Sequence, residues 1–231
     1  MKIIGLTGSI AMGKSTAAKM LVQMGYAHFD ADAVVHALTG PRGRALRAIA
    51  EFAPEAVSME TGMDRRRLGD LAFHDQRILR KLEAVLHPMV YAENRRLLAL
   101  WQRQRRRKVL LDVPLLLEGA GERRCDAVWV VSAPKALQLQ RALFRPGMTV
   151  QKLRGILSRQ VPDQEKRRRA DVVIATGLGR AITWAALAQA DRMMVREHTW
   201  PPRHRRNALF KGRIHDIRRV EPKPYAKGSQ T

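Results

Sequence analysis

The run Gly8-Ser-Ile-Ala-Met-Gly13-Lys14-Ser15 constrains this chain more than any other feature. It has the form G-x-x-x-x-G-K-[ST] and stands between a short apolar run, Met1 to Thr7, and a segment, Lys14 to Met24, with apolar residues at helical spacing. Strand, glycine-bearing turn and helix in that order make a cradle for phosphate. Backbone N–H groups of the loop wrap the anion, and the helix directs the positive end of its dipole at it. Lys14 then reaches the β- and γ-phosphates of ATP, the Ser15 hydroxyl ligates Mg²⁺, and Thr16 adds a hydroxyl near the α-phosphate. Gly8, Ala11, Met12, Gly13, Lys14, Ser15 and Thr16 are therefore the nucleotide-binding candidates, with ATP and Mg²⁺ as the expected cofactors.

The rest of the chain supplies a frame for that loop. Tyr26 to Phe29 reads as a second short strand, Val109 to Val113, Ala127 to Val131 and Val172 to Ile174 as strands buried on both faces. Helices are expected over Pro134 to Phe144, Val150 to Arg159 and Gly179 to Met194. Between Thr39 and Gly62 the chain is polar and broken by Gly and Pro, with helical pieces around Arg44 to Phe52. From Asp75 to Trp101 apolar residues recur at three and four, which predicts a long amphipathic helix that Pro88 should kink or split. Strands alternating with helices predict an open, mainly parallel α/β sheet with helices on both faces.

Composition narrows the partners. The net charge of +22 makes the chain attractive to polyanions, whether nucleic acid, acidic surfaces or phosphorylated small molecules. From Val195 onward ten Lys/Arg face three Asp/Glu with no sustained period, so residues 195–231 read as a basic, partly disordered tail. That tail suits nonspecific polyanion binding, but no specific nucleic-acid motif accompanies it. One cysteine, Cys125, cannot form an intramolecular disulfide, and no apolar run approaches the roughly 20 residues that span a bilayer. A cytoplasmic chain with no membrane contact, a monomer or small homo-oligomer, is the expectation.

Several residues downstream could carry the transfer chemistry. Asp30 and Asp32 follow the second strand, where either could take or orient the proton of an attacking hydroxyl, although Asp32 could equally cap a helix from Ala33 to Leu38. Asp112 ends a strand, the expected place for a carboxylate that holds Mg²⁺ through water, or for a plain turn aspartate. Arg141 and Arg145 stand four apart before a Pro-Gly turn, which suggests one face of a basic lid helix, or ordinary surface arginines. His87-Pro88 breaks the long helix either to present the imidazole to a cleft or incidentally.

The ordered set of these residues resembles the dephospho-CoA kinases. It comprises Gly5-Leu-Thr-Gly8, Asp30-Ala-Asp32, Leu86-His87-Pro88, Leu111-Asp112-Val-Pro114-Leu-Leu-Leu-Glu118, Arg141 with Arg145 and Thr149, Gln160 with Lys166, and Ala170-Asp171-Val-Val-Ile174. The resemblance covers roughly residues 2–190. It implies a three-layer α/β/α P-loop NTPase core with a mainly parallel five-stranded sheet, similar to nucleotide monophosphate kinases, within a kinase domain over residues 1–194. It also implies a helical insertion for the acceptor at about 39–107 and a lid at about 141–166. The implied reaction is ATP-dependent phosphorylation of the ribose 3′-hydroxyl of dephospho-CoA, the last step of coenzyme A synthesis. By the same resemblance Asp32 is the catalytic base, Lys14, Arg141 and Arg145 neutralise the phosphates, and His87, Pro114 and Glu118 border the acceptor.

Three positions depart from that family's usual pattern. Ala11 and Met12 stand where glycine and serine are usual, Pro146-Gly147 follow Arg145 in place of an acidic residue, and Ala175-Thr176-Gly177 lacks the usual asparagine amide. Other small-molecule kinases, for nucleotides or shikimate, lack the Asp-Ala-Asp, His-Pro and Pro114 to Glu118 elements seen here. A nucleic-acid-binding protein driven by the basic tail is the rival of a different class.

Overall fold

A computed structural model describes residues 1–119 and 121–196. In chain order the elements are β1 (Lys2–Thr7), α1 (Lys14–Gln23), β2 (Ala27–Asp30), α2 (Ala31–Thr39), α3 (Leu46–Ala50), β3 (Val57–Ser58), β4 (Gly62–Met63), α4 (Arg65–His74) and α5 (Gln76–Arg103). They continue with β5 (Lys108–Asp112), β6 (Ala127–Ser132), α6 (Lys135–Leu143), α7 (Val150–Leu157), α8 (Asp163–Arg169), β7 (Val172–Ala175) and α9 (Arg180–Arg196). The basic tail expected over 195–231 lies outside the described residues beyond Arg196. The chain divides into two compact units, a first that holds Met1–His28 and the chain from Arg107 onward, and a second, Phe29–Arg106.

The first unit is built on a five-stranded, mainly parallel sheet of order β2-β5-β1-β6-β7. β1 is central and parallel to both neighbours, with Gly5 opposite Leu111 of β5 and Val128 of β6. β7 runs parallel along β6, Val131 facing Ile174. Both faces are buried, which is why these strands read as unbroken apolar runs rather than alternating ones. Ile4, Leu6, Ala127, Trp129 and Val131 pack with Ala17, Leu21, Ala186 and Leu187 of α1 and α9, while Val128 and Val130, pointing the other way, are also fully buried. α8 packs against β6. At the end of β1, Gly8 passes so close to β6 that a Cβ would sit 2.4 Å from a Val131 methyl, so glycine is required there.

A polar network closes this unit at the far end of the sheet from the loop. Lys108 Nζ donates to Asp191 and to the Met24 carbonyl, and lies 4.8 Å from the Tyr26 ring centre. The Tyr26 hydroxyl donates to Asp191 at 2.8 Å.

In the second unit α2, α3, α4 and α5 and the β3-β4 hairpin surround a core of Leu38, Ile49, Leu68 and Leu86, with Leu82, Val85 and Met89 packed against it. α5 is one helix of 28 residues, continuous through Pro88, so the expected split does not occur. The proline removes one hydrogen-bond donor on a stretch where Ala84, His87 and Pro88 face solvent. The carbonyl it strands can be hydrated while the opposite face stays packed. α4 and α8 show no sustained apolar period: Arg65 to His74 opens on three arginines before Leu68 and Leu71, and Asp163 to Arg169 holds no apolar residue.

Candidate active site

The phosphate-cradling loop spans the turn between β1 and α1 as its residues predict. Gly13 caps α1 in the left-handed region (φ 87°), and Ala11 also has positive φ, 63°. Glycine is at ease there, but alanine is strained by about 1–2 kcal/mol because its Cβ crowds the backbone. The usual glycine at position 11 thus has a conformational reason, and this chain departs from it at a cost. Met12 fills the space beneath the loop. It is buried, its Sδ accepts from Ala133 N at 3.1 Å, and its carbonyl accepts from Thr176 Oγ1 at 2.7 Å. Thr176, in the position of the usual asparagine segment, therefore braces the loop from β7's end.

Lys14 opens α1 and its Nζ bonds Asp112 Oδ1 at 2.5 Å. Asp112 is the last residue of β5 and is only 4% exposed, while its other oxygen lies 3.3 Å from His28 Nε2. The carboxylate at the end of β5 is thus paired with the loop lysine. Ser15 and Thr16, in the first turn of α1, are exposed. His28 carries no signal in the sequence, because a four-residue strand is too short for alternation to reveal its face.

Pro114 follows β5, and its carbonyl accepts from Thr7 Oγ1 at 2.8 Å. Glu118 is held by the protein itself. Its Oε1 accepts from Val161 N at 2.9 Å and lies 2.8 Å from the ammonium of Lys166, a side chain with no exposure. The Lys166 contact is an ion pair without hydrogen-bond alignment, and Glu118 Oε2 has no hydrogen-bond partner among the described residues.

Arg141 is half-buried, and its Nη2 donates to the Thr176 carbonyl at 3.0 Å. Arg145 does not share its helix. α6 ends at Leu143, Phe144 caps it, and Arg145 is exposed in the following turn, where Gly147 has φ 70°. Pro146 explains the correction, since a residue that precedes proline is disfavoured in a helix.

Asp32 and His87 belong to the second unit. Asp32 is exposed in the first turn of α2 and is not its cap: the helix begins at Ala31, and Asp30 accepts from Ala33 N at 3.0 Å. The helix starts earlier than its apolar pattern suggests because Ala31 continues directly from β2. His87 is exposed on α5, with its ring 6.4 Å from that of Tyr91.

A loop of this form, between the central strand of a parallel sheet and a helix and backed by a strand-end carboxylate, is the mark of the P-loop nucleoside triphosphatases. Comparison with known proteins narrows the class. The dephospho-CoA kinase family model matches residues 2–179, and the chain belongs to that family. It is 51% identical over 177 residues to the dephospho-CoA kinase of Rhodospirillum rubrum, covering 77% of this chain and 84% of that one. It is 50% identical over 190 residues to that of Novosphingobium aromaticivorans, covering 82% and 93%. Among solved structures, a Thermus thermophilus protein shares 34% identity with a TM-score of 0.70, covering 86% of this chain and 98% of that one. The dephospho-CoA kinase of Campylobacter jejuni, at 23% identity and a TM-score of 0.64, covers 85% and 98% and shares the fold.

Proposed function

We propose that this chain transfers the γ-phosphoryl group of ATP to the ribose 3′-hydroxyl of dephospho-CoA, giving coenzyme A and ADP. The observation that carries this reading is the phosphate-cradling loop with Lys14 paired to Asp112, in a chain that belongs to the dephospho-CoA kinase family. Catalysis in this class is positioning and charge neutralisation. Lys14 moves its ammonium from Asp112 to the β- and γ-phosphates, and Arg141 and Arg145 add positive charge from the lid side. Asp32 orients the acceptor hydroxyl and receives its proton.

The residues fit Mg²⁺. Asp112 and Ser15 would hold the ion through oxygen, the ligand atom this hard cation prefers. When bound, Mg²⁺ would offset the negative charge of the phosphates. Pro114 and His87 border the acceptor, and Glu118 supports that border by holding Val161 and Lys166. The chain works in the cytoplasm, and no helix among the described residues is long and apolar enough to cross a membrane.

The test is ADP release with ATP and Mg²⁺ across dephospho-CoA, AMP, CMP and shikimate, with the product identified by mass. Turnover with dephospho-CoA and a product one phosphate heavier is expected. Turnover with another acceptor alone would overturn the proposal.

A further inference from the structure

Two glutamine contacts, one from a buried and one from a half-buried side chain, converge on one residue of the phosphate loop. Gln138 of α6, 7% exposed, donates from Nε2 to the Ile10 carbonyl at 2.9 Å. Gln160, between α7 and α8, accepts from Ile10 N at 3.2 Å through Oε1. The two peptide planes that flank Ile10 are therefore each held by a side chain from the lid region. The neighbouring side chains are held as well: Ala11 is buried with Ala142 and Leu153, and Ile10, Met148 and Leu157 pack against them.

This bears on the strained residue that follows. The φ angle of Ala11 measures rotation relative to the peptide plane that carries the Ile10 carbonyl. A bond that fixes this carbonyl thus restrains the rotation alanine would otherwise relax. A sparsely populated backbone conformation persists when its surroundings over-determine it. The N–H of Ala11, trans to the same carbonyl, points away from Gln138, so the amide's direction depends on that bond too.

We infer that Gln138 and Gln160 are positioning residues that hold the phosphate loop in its binding conformation in place of a glycine at position 11, and thereby tie ATP affinity to the packing of the lid helices. The inference rests on the loop being the ATP site of the proposed function.

Calorimetric titration of the full chain with ATP and Mg²⁺, without acceptor, tests it. Gln138→Leu and Gln160→Met keep bulk and remove the bonds. Each is expected to weaken ATP binding about ten-fold when Ala11 is present, the effect of a lost hydrogen bond with loop relaxation. In an Ala11→Gly background the same substitutions should change affinity by no more than about two-fold relative to that background, because glycine holds positive φ without help. Equal losses in both backgrounds, or no loss in either, would overturn the clamp. So would a thermal midpoint that falls while affinity holds. The more exposed Gln160 repeats the test independently, so that failure of the Gln138 variant to fold does not remove it. No ATP binding by the unaltered chain would overturn the proposed function and the clamp together, whereas binding indifferent to both glutamines overturns the clamp alone.

Discussion

Replacing Glu118 with leucine should destabilise the fold far more than replacing its partner Lys166 with methionine, and replacing both should recover most of the loss. Lys166 is fully buried, and its ammonium finds its counter-charge in Glu118 Oε1 at 2.8 Å. Removal of the carboxylate leaves a buried, uncompensated cation, which costs about 3–5 kcal/mol. The reverse change is milder for a structural reason. Glu118 keeps the Val161 N–H, so without Lys166 its carboxylate stays hydrogen-bonded. Lys166→Met should then cost about 1–3 kcal/mol, the range for a lost partner of a charged group. The double variant lacks both charges and should lose little more than the Val161 bond, about 1 kcal/mol. The assay is thermal unfolding followed by circular dichroism. At roughly 2–4 °C per kcal/mol for a domain of this size, Glu118→Leu should lower the midpoint by roughly 10 °C. Addition of Lys166→Met should restore more than half of that fall. A double variant no more stable than Glu118→Leu alone would refute the reasoning, because it would mean that the buried ammonium is not what destabilises the single variant.

Other outcomes follow from the same geometry. Lys14→Ala should lose both ATP affinity and turnover, and its ADP-release rate should stay at background at any accessible ATP concentration; retention of both would remove the loop from the mechanism. Asp32→Ala should lower kcat at least about a hundred-fold, the range for a lost general base, with the KM for ATP little changed. Normal turnover would dismiss Asp32 from that role. Tyr26→Phe should cost about 1 kcal/mol near neutral pH through loss of the bond to Asp191, read by urea unfolding. Burial, and then the charge of Asp191, push the Tyr26 hydroxyl well above its ordinary pKa of 10.0. A raised folded pKa means stability that is present below the unfolded value and lost above it, so the gap between the two proteins should narrow above about pH 10.

What this chain's sequence determined by itself is whatever depends on consecutive residues. The phosphate loop is legible because its donors, lysine and hydroxyl lie within Gly8 to Thr16, and strand, turn and helix are each set by local backbone preference. The strands β1, β5 and β6 are legible because burial on both faces leaves unbroken apolar runs. α5 is legible from its period, which outweighed one proline.

Only the tertiary structure decided which distant groups meet. Lys14 and Asp112 come together because β1 and β5 are parallel neighbours, a register no local pattern encodes. Gln138 and Gln160 reach Ile10 from 128 and 150 residues away, and nothing about an isolated glutamine marks it as a partner of a backbone carbonyl or amide. α8 was hidden for a related reason. Its buried residue is Lys166, and a charged side chain is read as surface until the fold supplies the carboxylate that permits its burial. Hydrophobic periodicity reports which residues leave water, whereas the pairing of polar groups is fixed by where the chain crosses itself.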